Sequence, residues 1–355
     1  MKAVATESAF HAAKPEARRG DPPEPLGQPS LIKIFLLDSG GMECFILGTG
    51  GMMPLPNRNL TSMLLRREGE LFLFDCGEAT QISLRQLNLK WKKISVILIS
   101  HTHADHITGL PGILMLNAQV ERDEPLVIIG PPKVREYVET SRKVLDMYIN
   151  YPIEIREIED PSTPGEVFRG DGYAIRSFPL RHSKVCVGYS LIEDDRPGVF
   201  FPEKAKETGV PMGPLWGRLQ KGLDVELPDG RLVTPGDVMG EARTGRKVSF
   251  VTDTTWRDSI PGEVRGSDLL ICEAMFGEDL AESAREKKHF TARQAGRLAA
   301  QAGDVRRMGL IHYSPRYIDR ELKVLRNEAR ELFPGAFLCR DRMTIEVPYR
   351  DEEGS

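Results

Sequence analysis

Three of the seven histidines fall within six residues, in the segment His101-Thr-His103-Ala-Asp105-His106. The segment follows an apolar run of strand length, Ile94–Ser100, and precedes a helical pattern over Gly109–Asn117. Because α/β proteins build their sites where strands end, we expect these side chains at the end of a buried strand. Imidazole and carboxylate together suit zinc and similar divalent metals, and the absence of a CxxC pair excludes a sulfur-rich structural site. The segment therefore predicts a metal site.

Four further candidates lie downstream, His182, Asp253, His289 and His312, each beside an apolar or β-type run. Taken singly, each is as consistent with a hydrogen-bonded residue at a strand end as with a metal ligand. Taken together they match the needs of two metals about 3.5–4 Å apart, which require a bridging carboxylate and several imidazoles. The seven candidate ligands are His101, His103, Asp105, His106, His182, Asp253 and His312.

His289 is then not needed as a metal ligand and is free for a different role. Glu273 lies at the end of another apolar run and is a natural partner to orient the His289 imidazole. A Glu–His pair of this kind can hold an imidazolium that donates a proton to a leaving group. For Glu273, a salt bridge at the rim of the site is an equally good interpretation.

The elements that must position these residues follow from the hydrophobic pattern. From Met42 onward, short β-rich runs alternate with segments of helical periodicity, which is typical of a layered α/β protein. The central runs are apolar without alternation, so we expect strands buried on both faces. A capping box at Thr291–Gln294 opens one helix, which stops at Gly303, and a second helix spans 322–332. The predicted strands are Glu43–Leu47, Thr61–Leu65, Leu71–Phe74, Ile94–Ile99 and Leu126–Ile129.

Two segments depart from this rhythm. Residues 1–30 are rich in Ala, Pro and Glu, and we expect residues 1–41 to form a disordered N-terminal extension, with Met42 a plausible natural start. Between about residues 196 and 246, glycine and proline accumulate at a density typical of an excursion from a packed core. The remaining chain, 42–350, is expected to form one catalytic domain that contains this insertion.

Composition limits the class of protein. No run approaches the about 18 apolar residues that a membrane helix needs, so we expect a soluble protein without a membrane partner. The 48 basic and 52 acidic residues give a net charge of −4, which disfavours a generic binder of polyanions. The five cysteines are odd in number and widely spaced, which indicates core residues in a reducing compartment.

The motif HTHADH resembles the HxHxDH motif of the metallo-β-lactamase superfamily. The segments LGTGGMMPLPNRNLTSMLL, LFDCGEATQISLRQ, HFTARQAGRLAAQAG and IHYSPRY further resemble the ribonuclease Z family, over about residues 42–347. The segment GVPMGPLWGRLQKGLDVELPDG is similar to the flexible arm, or exosite, with which that family grips transfer RNA. The resemblance implies a four-layer αββα sandwich with a protruding arm at about 196–246.

The family implies an activity and a role for each matching residue. The expected enzyme is a zinc-dependent endoribonuclease that removes the 3′ trailer from precursor tRNA, leaving a 3′-hydroxyl on the tRNA and a 5′-phosphate on the trailer. The resemblance also implies a cytoplasmic homodimer in which the arm of one subunit presents RNA to the other. Of the two zinc ions per subunit, one would be bound by His101, His103 and His182 and the other by Asp105, His106 and His312, with Asp253 bridging. Asp105 would also accept a proton from the attacking water, and His289, held by Glu273, would protonate O3′.

Substrate contacts are expected mainly in the arm. Residues 204–221 carry four basic side chains against Glu207 alone, a local charge of +3 that suits phosphate contacts, although a solvated charged loop would read the same way. Many family members carry a PxKxRN loop that discriminates against a mature CCA end, and here Pro56 replaces the lysine, so we expect weaker rejection of CCA. The expected substrate-binding residues are Arg58, Asn59, Lys204, Lys206, Gly213, Pro214, Arg218, Lys221 and Arg316.

Two alternatives remain open at this stage. One is a hydrolase of the same fold that acts on a small phosphodiester and not on RNA. The other is a non-catalytic RNA-binding scaffold of the same fold. The complete set of candidate ligands argues against the scaffold.

Overall fold

Most strands carry apolar residues on both faces, and this composition requires cover on each side of a sheet. In the strand Met42–Gly48, for example, Met42, Cys44 and Ile46 belong to one buried cluster, whereas Phe45 and Leu47 belong to another. The computed structural model describes residues 41–120 and 122–352. In this part of the chain the strands form two seven-stranded sheets and a separate two-stranded ribbon.

The first sheet has the strand order β16-β1-β2-β3-β4-β5-β6. Its strands are β1 (Met42–Gly48), β2 (Ser62–Arg67), β3 (Glu70–Phe74), β4 (Ile94–Leu98), β5 (Leu126–Gly130), β6 (Ile153–Glu157) and β16 (Thr344–Glu346). The second sheet has the order β15-β14-β13-β12-β9-β8-β7. Its strands are β7 (Gly165–Gly170), β8 (Tyr173–Arg181), β9 (Val185–Glu193), β12 (Lys247–Val251), β13 (Leu269–Glu273), β14 (Arg307–Ile311) and β15 (Ala336–Leu338). The ribbon pairs β10 (Val225–Glu226) with β11 (Leu232–Val233).

The helices lie in chain order between these strands. They are α1 (Thr80–Gln86), α2 (Ala104–Ile107), α3 (Leu110–Gln119), α4 (Val134–Val144), α5 (Pro202–Glu207), α6 (Pro214–Gln220), α7 (Pro235–Val238), α8 (Ile260–Val264), α9 (Ala281–Lys287), α10 (Ala292–Ala302) and α11 (Leu322–Arg330). Within residues 41–120 and 122–352, three short 3₁₀ segments occur, at Trp91–Lys93, Glu278–Leu280 and Arg350–Glu352. None of the helices in the described ranges is long and apolar enough to cross a membrane.

The sheets pack face to face with helices outside, which confirms the four-layer αββα architecture. Aromatic pairs cross the central layer, with ring centroids 5.2 Å apart for Phe72 and Tyr173 and 5.8 Å apart for Phe74 and Phe250. Helices α1, α3 and α4 cover the outer face of the first sheet, and α8, α10 and α11 cover that of the second.

The five predicted strands are observed as β1 to β5, with ends that differ by one or two residues. The predicted capping box is also present: the Gln294 N–H donates to Thr291 Oγ1 at 3.2 Å, and the Thr291 N–H donates to Gln294 Oε1 at 2.9 Å. Helix α10 ends at Gly303. All five cysteines are buried free thiols, as expected. Residues 1–40, most of the expected disordered extension, lie outside the described residues.

The segment 196–246, called the arm below, belongs to neither large sheet. It contains α5, α6, α7 and the β10–β11 ribbon, and it enters and leaves the second sheet through Arg196 and Arg243, which pair as neighbours. The sequence indicated an excursion from the core, but the arm also has a small core of its own. The buried residues of that core are Ala205, Val210, Leu219, Val225, Leu227, Val233 and Val238.

Strand direction brings the predicted site residues to one edge. Strands β12, β13 and β14 are parallel, and β3 is parallel to β4. Strand β8 is antiparallel to β9, which is antiparallel to β12, so β8 runs in the same direction as β12. The C-terminal ends of these strands carry the site described next.

Candidate metal centre

Each predicted ligand lies shortly after a strand, or in the short helix α2, or, for His103, at the N-terminal cap of that helix. His101 follows β4, His182 follows β8, Asp253 follows β12 and His312 follows β14, while α2 carries Asp105 and His106. All of these side chains except those of His103 and Asp105 are almost completely buried. The structure therefore brings together the seven side chains that the sequence picked out.

The first group of donors contains His101, His103 and His182. The His103 Nδ1 atom lies 2.9 Å from His101 Nε2 and 3.1 Å from His182 Nε2. The Asp253 Oδ2 atom lies 3.6 Å from the Nε2 atoms of both His101 and His182. Three ring nitrogens and one carboxylate oxygen thus converge on a common point.

The second group contains Asp105, His106 and His312. The Nε2 atoms of His106 and His312 lie 3.1 Å apart, and Asp105 Oδ2 lies 3.3 Å from His312 Nε2 and 3.7 Å from His106 Nε2. The other oxygen of Asp253, Oδ1, lies 3.3 Å from His106 Nε2 and 3.2 Å from His312 Nε2. Asp253 therefore offers one oxygen to each group, as a bridging carboxylate must.

Hydrogen bonds behind the rings determine which nitrogen carries the proton. Asp75 is fully buried and accepts the Ser100 hydroxyl proton at 2.8 Å, so the Ser100 oxygen must accept from His101 Nδ1 at 3.0 Å. The same Asp75 oxygen lies 2.7 Å from His106 Nδ1, which donates to it. His182 Nδ1 donates to the Lys288 carbonyl at 2.9 Å. In His101 and His182 Nε2 is left with a lone pair. For His106, burial disfavours the charged ring, but the Asp253, Asp105 and Asp75 carboxylates outweigh it and raise the pKa of His106 well above its usual range.

These lone pairs test whether the site fits a cation. The Nε2 atoms of His101 and His182 both face Asp253 Oδ2 at 3.6 Å, with no proton between them. Lone pairs that face each other in a buried site repel unless a positive ion lies between them. The donor set therefore fits divalent metal, and its nitrogen and oxygen composition suits zinc or a similar borderline ion.

The protonation states of the first group agree with metal binding. Burial lowers the pKa of His101 and of His182, and it lowers that of His103 to about 4. Burial opposes ionisation of Asp253, but the imidazoles of His312 and His106 hold its pKa well below the usual range. Neutral imidazoles beside an ionised carboxylate are the state that binds metal, and a metal ion would displace the proton that His106 carries.

The backbone is adapted to bring His312 into the cluster. His312 has φ +60, a left-handed conformation that is unusual for a residue other than glycine. Gly51 packs against its ring so closely that a Cβ at position 51 would lie 2.6 Å from His312 Cε1. The next residue, Met52, donates its N–H to Asp105 Oδ2 at 2.6 Å. The loop after β1 therefore orients two members of the second group.

Glu273 and His289 form the expected pair beside the donors. His289 Nδ1 lies 3.0 Å from Glu273 Oε2, and the other oxygen of Glu273 accepts from the Thr254 N–H at 2.6 Å. Burial disfavours the charged ring, but the Glu273 and Asp253 carboxylates outweigh it and raise the pKa of His289 to about 9. His289 is therefore an imidazolium at neutral pH.

The expected substrate-binding residues divide into two sets. Arg58 is only 4% exposed, and its guanidinium donates to the Tyr317 carbonyl at 3.0 Å and to Asp319 Oδ1 at 2.6 Å. Asn59 Nδ2 donates to Ser83 Oγ at 2.9 Å. Both side chains bind protein, in contrast to the expected RNA contact. The other expected substrate-binding residues are exposed, and they are Lys204, Lys206, Gly213, Pro214, Arg218, Lys221 and Arg316.

Sequence reasoning missed Asp75 as part of the site. It orients two of the seven donors, His106 directly and His101 through the Ser100 hydroxyl. A signal was present, because Asp75 directly follows the apolar strand β3, as the other site residues follow theirs.

Comparison with known proteins identifies relatives over most of the chain. A ribonuclease Z from Treponema denticola is 60% identical over 310 residues, which is 87% of this chain and 99% of that protein. A ribonuclease Z from Treponema pallidum is 58% identical, and one from Borrelia duttonii is 43% identical over 307 residues. The chain belongs to the ribonuclease Z family. A family profile described as the anti-Pycsar protein Apyc1 also matches residues 42–191.

Solved structures agree with the fold of a ribonuclease Z. The short form of human tRNase Z superposes with a TM-score of 0.63 at 24% identity and covers 86% of this chain and 99% of its own. A metallo-β-lactamase-fold protein from Bacillus subtilis superposes with a TM-score of 0.60 at 19% identity, over 86% of this chain and 99% of its own. These similarities confirm the metallo-β-lactamase fold.

Proposed function

We propose that this protein is an endoribonuclease that removes the 3′ trailer from precursor tRNA. The cleavage leaves a 3′-hydroxyl on the tRNA and a 5′-phosphate on the trailer. The observation that carries the proposal is the convergence of two donor groups on Asp253, with the Glu273–His289 pair beside them, in a chain 60% identical to a ribonuclease Z. We also propose a cytoplasmic location and a homodimer, as the family resemblance implies.

Two zinc ions per subunit are proposed as the cofactor. His101, His103 and His182 would hold one ion, and Asp105, His106 and His312 would hold the other, with Asp253 shared. When bound, such a pair of ions lowers the pKa of water and stabilises charge on a phosphodiester. The buried donors and the hydrogen bonds of Asp75 and Lys288 preorganise the site for them.

Side chains of the protein would transfer the protons of the reaction. Asp105 would accept the proton of the attacking water, and its Oδ2 atom is oriented by the Met52 N–H at 2.6 Å. His289 carries a proton at neutral pH because of Glu273, so it can donate to O3′ as that bond breaks. The Thr254 N–H fixes Glu273 and therefore the position of the His289 ring.

The arm is proposed as the RNA-binding element. The side chains of Lys204, Arg218 and Lys221 are exposed, while Lys206 forms an exposed ion pair with Glu203 at 3.0 Å. Exposed lysine and arginine side chains are suited to phosphate contacts. Arg58 and Asn59, whose contacts are with protein, would act indirectly by holding the loop before β2.

An arm deletion distinguishes a tRNA enzyme from a phosphodiesterase that acts on small molecules. Val199 pairs with Gly240, whose N–H donates to its carbonyl at 2.8 Å, so residues 204–239 can be replaced by a short Gly-Ser linker. We expect the variant to lose precursor tRNA cleavage and to keep hydrolysis of a chromogenic small diester. Asp105→Ala is the matched catalytic variant, and it should lose both activities while it still binds RNA.

Three outcomes would contradict parts of the proposal. If the arm deletion leaves precursor tRNA cleavage unchanged, the arm is not the RNA-binding element. If the intact protein hydrolyses the small diester and leaves precursor tRNA uncut, the small-molecule phosphodiesterase is the better assignment. Residual wild-type turnover in Asp105→Ala would refute its role as the base.

A further inference from the structure

The neck of the arm contains two arginines that face each other. The N–H groups of Arg196 and Arg243 donate to each other's carbonyl oxygens at 2.7 and 2.8 Å, so the two residues are directly opposed on neighbouring segments. Like charges at opposed positions of a β pair destabilise it. A negative charge beside the two guanidinium groups therefore stabilises the neck.

Asp351, near the C-terminus, supplies that charge. Its Oδ1 atom accepts from Arg196 Nη2 at 2.5 Å, and its Oδ2 atom accepts from Arg243 Nη1 at 3.0 Å. One carboxylate thus links the incoming and the outgoing end of the arm. Tyr349 adds a second contact, because the Arg196 guanidinium carbon lies 3.3 Å from the centroid of its ring.

Arg350 lies between Tyr349 and Asp351, and it attaches this segment to the second sheet and its loops. Arg350 donates to Asp268 Oδ1 and to Asp304 Oδ1, both at 2.7 Å, and to the Gly266 carbonyl at 2.9 Å. Tyr349 and Asp351 contact the neck, whereas Arg350 contacts the body of the protein. Residues 349–351, called the clamp below, therefore connect the two.

The orientation of the rest of the arm depends on the neck. The hydrogen bonds described for residues 199–240 are all made within that range. A cavity of about 360 Å³ lies beside the neck, lined partly by Gly198, Gly222, Gly236 and Gly240. The arm therefore borders open space on this side of the neck.

We infer that the clamp fixes the orientation of the arm, with Asp351 as a positioning residue for precursor tRNA. The inference rests on the proposed RNA-binding function of the arm. A clamped arm presents its RNA-binding side chains in one orientation, so less binding free energy is spent on ordering them. Without Asp351 the two opposed arginines repel, and only a fraction of molecules keep the competent orientation.

The test compares Asp351→Asn with the intact protein in two measurements. In steady-state kinetics the KM for precursor tRNA should rise about 3- to 10-fold. We expect this rise because the fraction of molecules whose arm has the RNA-binding orientation falls by the same factor. Both kcat and hydrolysis of a small chromogenic diester should stay within about 2-fold of the intact protein, because the metal centre is unchanged. Hydrogen exchange of the Arg196 and Arg243 amides should accelerate by about 3-fold or more, because the neck opens more often.

Two further variants control the experiment. Glu154→Gln removes another exposed bidentate ion pair, with Arg156 on β6, and it should change neither measurement. Asp351→Glu keeps the charge and should restore most of the affinity. Unchanged exchange at the neck in Asp351→Asn overturns the clamp, even if the protein proves not to cleave tRNA. Faster exchange with an unchanged KM for a cleaved tRNA overturns the positioning role.

Discussion

The nitrogens that face the metal centre are selected by hydrogen bonds outside it. Asp75 accepts hydrogen bonds from Ser100 and His106, and through Ser100 it also fixes the ring orientation of His101. Such partners of metal ligands orient the rings and raise their basicity. At the residue scale, the metal affinity of the site therefore depends on a carboxylate that would itself contact no metal.

Replacing Asp75 should weaken metal binding without removing a ligand. Asp75 accepts with both oxygens, from the Ser100 N–H at one and from the Ser100 hydroxyl and His106 Nδ1 at the other. In Asp75→Asn one of these oxygens becomes an NH2 group that can only donate, so at least one donor loses its acceptor and the ring orientations of His101 and His106 are no longer fixed. We expect metal affinity to fall about 10- to 100-fold. Competition with a chromogenic zinc chelator measures it.

Asp341→Asn is the control for this substitution. Asp341 accepts hydrogen bonds from the Asn59 N–H and the Thr49 hydroxyl but touches none of the seven donors. Equal zinc affinity in Asp75→Asn and the intact protein would show that Asp75 has no part in the metal centre.

His289 gives a second residue-scale prediction. If it protonates O3′, His289→Asn should slow cleavage of ordinary precursor tRNA by about 10²- to 10⁴-fold. A substrate with sulfur in place of the bridging O3′ has a leaving group that needs no proton. Single-turnover rates should show that this substrate loses far less in the variant. An equal loss with both substrates would contradict the role of general acid.

The residues of the site were largely predictable because several of them follow an apolar run and others are concentrated in the HTHADH segment. His101, Asp253 and His312 all follow buried strands, and parallel strands bring such positions to one edge. The role of Asp75 was not predictable, because it depends on which of two ring nitrogens donates. Arg58 also departed from expectation, since only the fold shows that its guanidinium is enclosed by the loop at residues 314–319.

At the scale of elements, the loop between β1 and β2 links the metal centre to the surface. Gly51 and Met52 contact the site, and a few residues later the chain turns back at Pro56 and Asn57. The turn is closed by reciprocal hydrogen bonds between Leu55 and Arg58 at 2.9 and 3.0 Å. Its tip is exposed, so a longer side chain fits there without repacking.

Restoring the family lysine should sharpen discrimination against a mature CCA end. In Pro56→Lys, an exposed positive charge is added to this tip, and an exposed ion pair is worth about a 2- to 5-fold change in binding. We expect cleavage of CCA-containing precursors to fall by that factor relative to precursors without CCA. Asn57→Lys, one residue further, is the matched control. An identical CCA ratio in Pro56→Lys and the intact protein would exclude this role.

The elements themselves were predictable to different degrees. Strands β1 to β5 and the Thr291 cap follow directly from local pattern, because apolar runs and capping boxes act over a few residues. The small core of the arm was not predicted, because its apolar residues are scattered among glycines and prolines and meet only in three dimensions. High glycine and proline content identified the excursion but concealed its internal packing.

At the scale of the whole molecule, charge is unevenly used. A net charge of −4 argues against a protein that binds nucleic acid over its entire surface. The same total is compatible with local binding through the arm, where residues 204–221 carry a local +3. Affinity for tRNA should then fall steeply with salt through the arm alone. The metal centre, in contrast, depends on buried donors that salt does not screen.

The most direct test of the account is to map both ends made from a precursor tRNA. The intact protein is incubated with a 3′-extended precursor and zinc, and each product is sequenced and its terminal phosphate located. We predict a single cut after the tRNA body, with a 3′-hydroxyl on the tRNA and a 5′-phosphate on the trailer. A 3′-phosphate or cyclic phosphate on the tRNA, or stepwise loss of single nucleotides, would contradict it.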